Sequence, residues 1–148
     1  CMHTAIDSSF FAPWDTIKSI LPYVNLAFVD MKFFSNDLHK QYTGVDNALI
    51  KQNLLATNEL EDKFQLVVRT PIVPGLNDSE EELCKIGEFC TKLKKLSYVQ
   101  LLPYHKLGTA TYEKLGRTYA LPDVKSPTPN QMAGYVKIIE RYVENVIF

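Results

Sequence analysis

The chain has 148 residues, 46% hydrophobic and 22% charged, an apolar share that suits one globular α/β-sized domain rather than a disordered tail. Sixteen basic residues against 17 acidic ones leave a formal net charge of −1, which lacks the cationic excess a general nucleic-acid binder needs for phosphate. There is no run of about 18 apolar residues and no basic-then-apolar leader, so neither a membrane span nor a secretion signal is expected.

The apolar runs come in chain order with helical patterns between them. The first strand is expected over Met2 to Asp7. Pro13 opens a short helix that runs to Leu21. The second strand is Asn25 to Lys32 (NLAFVDMK), and a short helix carrying His39 begins near Ser35. Asp46 is placed to cap a helix with Leu49, Ile50, Asn53, Leu54 and Asn58. The third strand is Phe64 to Ile72 (FQLVVRTPI). Asp78 with Glu81 then reads as a capping box. The helix behind it puts Leu83, Ile86, Phe89, Cys90 and Leu93 on one stripe, with Glu80, Glu81 and Glu82 in its first turn and Lys92, Lys94 and Lys95 in its last. The fourth strand is Tyr98 to Tyr104 (YVQLLPY). Lys106 to Pro127 is turn-rich, and a short helix is expected around Thr111 to Leu115. Thr128, Pro129 and Gln131 open a final helix whose buried stripe is Met132, Val136, Ile139 and Val143.

Strands this continuously apolar suit a parallel sheet covered on both faces, and alternation with helices implies right-handed βαβ crossovers. The expected fold class is α/β, a parallel (β/α) partial barrel forming a single domain over residues 1–148. Four strands are about half of a closed (β/α) barrel, and a half barrel leaves raw sheet edges, so self-association through an edge is expected. Because Cys1 stands where a start Met would, the chain is also expected to be part of something longer. Three cysteines do not make a disulfide framework. Cys84 and Cys90 are six apart on a helix and do not face each other, as expected of free thiols in a reducing cytoplasm.

Charged groups fall at or just after the apolar runs: Asp7, Asp30 with Lys32, Arg69, and His105. In parallel α/β architectures the carboxyl ends of strands converge on the ligand crevice, so these five can share one rim. Each also has a plainer role. Asp7 can satisfy loop amides, Asp30 and Lys32 can be a simple ion pair, Arg69 can reach solvent, and His105 can be a loop histidine. His3 and His39 have no metal-spaced partner and fit core packing or surface exposure. There is no G-x-G-x-x-G, P-loop or G-x-S-x-G segment. Lys32 at a strand end leaves open a Schiff-base enzyme, and the aromatic pairs Phe10-Phe11 and Phe33-Phe34 leave open a non-catalytic scaffold that docks a partner.

HTAID (His3 to Asp7), FVDMK (Phe28 to Lys32), YTGVDN (Tyr42 to Asn47), VVRTPIVPGLNDSEE (Val67 to Glu81), LLPYHKLG (Leu101 to Gly108) and YEKLGRTY (Tyr112 to Tyr119) together resemble the glycyl-radical-enzyme activating enzymes, the pyruvate formate-lyase activating enzyme group of the radical SAM superfamily. The resemblance implies the carboxyl-terminal half of a radical SAM-type partial barrel. It implies S-adenosylmethionine beside a [4Fe-4S] cluster held by a CxxxCxxC loop, reductive cleavage to a 5′-deoxyadenosyl radical, and hydrogen abstraction from a glycine of a partner such as formate acetyltransferase or a relative. An electron donor such as flavodoxin or ferredoxin is implied too. Residue by residue, it places Asp30, Lys32 and the backbone of Met31 beside the cofactor, with His105, Asp7 and Arg69 around it. A zwitterionic sulfonium ligand needs both signs of charge, which these residues supply. The chain departs from the pattern in lacking the cluster loop and the GGE-type segment. It also has Ser8, Ser9, Phe10 and Phe11 where the family has Thr and then Gly. By itself it is expected to carry no radical chemistry, no catalytic residue and no metal ligand.

Overall fold

The computed structural model describes residues 2–61 and 63–148. Its elements are β1 (Ala5–Ser8), α1 (Trp14–Ile20), β2 (Leu26–Asp30), α2 (Asn36–Thr43), α3 (Ala48–Ala56), β3 (Gln65–Ile72), α4 (Glu80–Cys90), β4 (Leu96–Pro103), α5 (Thr109–Lys114), α6 (Pro129–Ile139) and β5 (Val146–Ile147). The five strands form one all-parallel sheet in the order β1-β2-β3-β4-β5. Sequential order without a reversal is the winding of a (β/α) barrel, not of a doubly wound sheet. The fold is α/β, as expected.

The helix-side residues of the strands make the core. Ala27, Val29, Leu66, Val68, Ile72, Val99 and Leu101 are buried, and Ile50, Leu54, Leu83, Ile86, Met132 and Ile139 pack on them. The other face differs from the expectation of full coverage. Phe28, Asp30, Arg69, Pro71, Tyr98, Gln100 and Leu102 alternate with the core residues and are only half buried. An open sheet has no opposite wall to cover this side, so its polar residues stay hydrated.

Several boundaries move. β1 starts at Ala5, and Thr4 is instead held by Asn25, whose Oδ1 accepts the Thr4 N–H at 2.9 Å. His3 is exposed ahead of the strand. α3 ends at Ala56, leaving Asn58 in the following turn. The α4 cap is Ser79, not Asp78: Ser79 Oγ accepts the Glu82 N–H at 3.2 Å. The Asp78 carboxylate is occupied by the Gly75 N–H at 2.8 Å and the Tyr135 hydroxyl at 2.8 Å. Both D-x-x-E and S-x-x-E are legible here, and the turn with Gly75 at φ +82° decides between them. α4 stops at Cys90, so Lys92, Lys94 and Lys95 lie in the turn beyond it. α6 has the expected Thr128/Gln131 capping box but ends at Ile139, ahead of Val143. β5 is a fifth strand, too short to show a period; Val146 and Ile147 pair with Val99 and Gln100.

Candidate functional site

Register brings the charged residues together. Asp30 on β2 lies opposite Arg69 on β3, and Asp7 on β1 lies opposite Phe28 on β2. Arg69 is therefore in the middle of β3, not at its end, and its position on the open face makes it reach both carboxylates. Arg69 Nε and Nη2 donate to Asp30 Oδ1 at 3.2 and 3.0 Å, and Nη2 also donates to Asp7 Oδ1. Its guanidinium stacks over Phe28 at 5.2 Å. Lys32 Nζ donates to Asp30 Oδ2 at 3.0 Å. Four of the five rim residues are thus one chain, Asp7–Arg69–Asp30–Lys32, with no net charge.

Exposure sorts them. The side chains of Arg69 and Asp30 are 17% and 25% exposed, those of Lys32 and Asp7 41% and 65%. The inner pair holds the outer pair in place, and the outer pair is the more open to solvent. Burial draws the Arg69 guanidinium down, but Asp7 and Asp30 outweigh it and hold the group above its ordinary value. His105 is two residues past β4, exposed, and accepts the Leu107 N–H at 3.4 Å; among the described residues it is not joined to the other four.

The segment after β2 is irregular, and side chains from around it satisfy its backbone. The Met31 N–H donates to the Arg69 carbonyl at 2.8 Å, and its own carbonyl accepts from Thr70 Oγ1 at 3.0 Å. The Met31 side chain is in the core. Asn77 Nδ2 donates to the Lys32 and Pro71 carbonyls at 2.8 and 2.6 Å, while its Oδ1 accepts the Val73 N–H at 2.8 Å. Asn47 Nδ2 donates to the Phe33 and Phe34 carbonyls at 2.5 and 3.1 Å. Glu82 accepts the N–H groups of Phe34 and of Ser35, the latter at 3.0 Å. Asn47, Asn77 and Glu82 are buried polar residues. They lie within or beside the YTGVDN and PGLNDSEE segments, where sequence reading saw only turns and caps.

Lys32 stands between two cavities. One of about 190 Å³ is bordered by Ser9, Phe11, Asp30 and His39. The other, about 410 Å³, is walled by Phe33, Tyr42, Pro71, Tyr112, Tyr119 and Leu121. His39 is a core histidine: its Nδ1 lies 2.7 Å from the Val45 carbonyl, so it carries its proton there, and its ring meets Phe33 edge-on. Among the described residues there is no cluster of His, Cys, Asp or Glu able to hold a metal. Cys84 and Cys90 are free, and burial pushes the Cys90 thiol up to about 12.

No family model matches the chain. Among curated proteins it is 36% identical over 140 residues to the indoleacetate decarboxylase activating enzyme of Tractidigestivibacter scatoligenes, covering 95% of this chain and 44% of that one. It is 38% identical over 123 residues to the isethionate sulfite-lyase activating enzyme of Nitratidesulfovibrio vulgaris, and 37% over 118 residues to the 4-hydroxyphenylacetate decarboxylase activating enzyme of Clostridium scatologenes. These cover 83% and 80% of this chain, and 39% and 38% of the relatives. The chain therefore spans less than half the length of the curated relatives it matches. Among solved structures, a domain of a pyruvate-formate lyase-activating enzyme from Bacteroides vulgatus superposes with TM-score 0.78 at 22% identity, covering 99% of this chain and 81% of that one. A radical SAM methyltransferase from Sphaerobacter thermophilus superposes with TM-score 0.63 at 15% identity, over 97% of this chain and 39% of that one. These two likenesses bear on the fold.

Proposed function

The chain is a homologue of the glycyl-radical-enzyme activating enzymes, and on that footing we propose that it supplies the S-adenosylmethionine-facing part of a radical SAM activase. The observation that carries this reading is the Asp7–Arg69–Asp30–Lys32 chain on the open face of a parallel sheet. It offers fixed charges of both signs to a ligand that is itself zwitterionic with an added sulfonium charge. Lys32 Nζ, the more exposed cation, meets the methionine carboxylate, and His105 joins it there when a ligand bridges the gap. Asp30 accepts from ribose hydroxyls. Asp7, mostly exposed, meets the ammonium. Met31 contributes through its carbonyl, which keeps a second lone pair beside its bond to Thr70.

The described residues do not fit an iron–sulfur cluster. Such a cluster takes thiolates, and the described residues hold only Cys84 and Cys90, one of them buried and locked as a thiol. The partner in this reading is a glycyl radical enzyme. The apolar, aromatic-walled cavity beside Lys32 suits an extended segment of it better than a charged small molecule. Formate acetyltransferase, a decarboxylase or a lyase fits equally, with an electron donor such as flavodoxin or ferredoxin and a cytoplasmic setting. No helix among the described residues is long and apolar enough to cross a membrane. The free edge of β1 is where a further strand, from another segment or a second copy, would pair.

Calorimetric titration with S-adenosylmethionine tests the reading. The chain binds it, and Lys32→Ala weakens binding about tenfold or more, the scale of one charge-assisted hydrogen bond. Equal affinity of the two proteins refutes the assignment of Lys32. The Schiff-base reading is disfavoured by the ion pair at 3.0 Å, which engages Lys32 Nζ with Asp30 and leaves it part of the charged chain. Failure of borohydride to trap a carbonyl compound on Lys32 is the matching outcome.

A further inference from the structure

Glu82 lies on α4, away from the charged chain, and is 5% exposed. A carboxylate that far out of water must be satisfied by donors, and its hydrogen bonds are two adjacent backbone amides, Phe34 and Ser35, just past Lys32. Neither amide belongs to a strand, and α2 begins only at Asn36. Position 82 is in the first turn of α4, where the helix dipole adds to the stabilisation of a negative charge. Lys51 closes the arrangement from the other side. Its Nζ donates to the Phe34 carbonyl at 3.1 Å and to Asn36 Oδ1 at 2.9 Å, and sits 4.4 Å from the Phe34 ring centre. Burial lowers the Lys51 ammonium, and the nearby charges of Glu82 and Asp46 work against that lowering.

We propose that Glu82 is a positioning residue: by clamping the Phe34 and Ser35 amides between α4 and Lys51, it fixes the main-chain path from Asp30 to Ser35 and with it the placement of Lys32 on the rim. The geometry argues for this over a mere fold-stabilising role. Both of its hydrogen bonds go to main-chain amides and neither to a side chain. It captures the one stretch of backbone that leads out of β2 and has no ladder of its own. The carbonyls of residues 31–34 are each taken by a side-chain donor, and Glu82 takes the two following amides, so the whole path is determined. A rim lysine on an unclamped loop would sample several positions and lose much of its affinity for a fixed anion.

The consequence for ligand binding rests on the S-adenosylmethionine reading, and the test separates the two. Native-state amide exchange and S-adenosylmethionine titration are run on the 148-residue chain as wild type, Glu82→Ala and Glu82→Gln. Expected for Glu82→Ala is exchange at Phe34 and Ser35 about tenfold faster or more, unchanged exchange in β3, and about tenfold weaker binding. Glu82→Gln recovers most of both, because its amide oxygen still accepts. Unchanged exchange at Phe34 and Ser35, or wild-type affinity in a folded Glu82→Ala protein, overturns the proposal. If Glu82→Ala does not fold, Glu82→Asp decides: its carboxylate is one methylene short of the two amides, so faster exchange confined to Phe34 and Ser35 supports the clamp, and no local change refutes it. If the wild type does not bind S-adenosylmethionine, the site reading fails, while the exchange comparison still judges the clamp.

Discussion

Phe10 shows how a single residue shapes the mouth of the sheet. Its φ is +55°, in the left-handed region that favours glycine, yet it follows β1 by two residues and carries a large ring. The ring is 1% exposed in the core, the Phe10 N–H donates to Ser8 Oγ at 3.0 Å, and Asn53 Nδ2 donates to its carbonyl at 2.9 Å. Sequence reading noticed that the glycine usual in similar chains is replaced by this aromatic run. What it could not see is that burying the ring, about 3–5 kcal/mol for a phenylalanine, exceeds the strain of about 1–3 kcal/mol. Phe10→Gly therefore lowers the unfolding free energy by about 2 kcal/mol or more, because relief of φ does not replace the lost ring; urea denaturation at neutral pH measures it. An unchanged or raised midpoint would mean that strain, not packing, dominates at this position.

Between elements, polar side chains do the joining. Asn77 ties the exit of β2 to the end of β3 with three hydrogen bonds at 2.6–2.8 Å while 1% exposed. Asn77→Ala leaves those backbone groups unpaired and costs about 2–4 kcal/mol, read as a lower urea midpoint at constant slope. The α4–α6 junction has a different signature. Tyr135 donates to Asp78 from a partly buried position, and burial first, then that hydrogen bond, pushes its hydroxyl up to about 12. Because the folded value lies above the unfolded one near 10, this contribution is complete below pH 10 and is lost as pH rises toward 12. Tyr135→Phe flattens the fall in stability between pH 10 and 12; an equally steep fall in the variant would show that another group titrates there. The elements themselves were readable because hydrophobic period, Pro129 and the Thr128/Gln131 box are local signals. The choice of Ser79 over Asp78 and the work of Asn47, Asn77 and Glu82 were not, since each depends on a competing acceptor or on a contact far along the chain, 14 residues for Asn47 with Phe33, 45 for Asn77 with Lys32 and 48 for Glu82 with Phe34.

Over the whole molecule the core and the site follow different rules of legibility. The apolar runs of β2 and β3 mark strands but read as covered on both faces; that Val29 and Val68 face the core while Asp30 and Arg69 face the open side shows only in the sheet. Register, which sets Asp30 against Arg69, is settled only when the sheet assembles. His105 shows the limit: Asp30 ends β2 and Arg69 sits within β3, whereas His105 lies past the sheet in the segment that leads to α5. From Lys106 to Pro122 that segment is mostly exposed, and its contacts include Tyr104 with Tyr119 through their hydroxyls, Tyr112 with Tyr119 edge-on at 5.1 Å, and Lys106 with the Pro122 carbonyl. None of its described side chains belongs to the buried core. Local opening should therefore cost it far less than global unfolding, whereas β3, buried between β2 and β4, should open only with the whole chain. Hydrogen exchange at neutral pH is expected to label amides 106–122 at least about a hundredfold faster than those of β3, a gap of about 2.7 kcal/mol or more in opening free energy. Addition of S-adenosylmethionine should slow exchange near His105 by drawing that residue toward Lys32. Protection of 106–122 equal to that of β3 without any ligand would instead make the segment part of the cooperative core, and would remove the reason for His105 to need a ligand before it joins the rim.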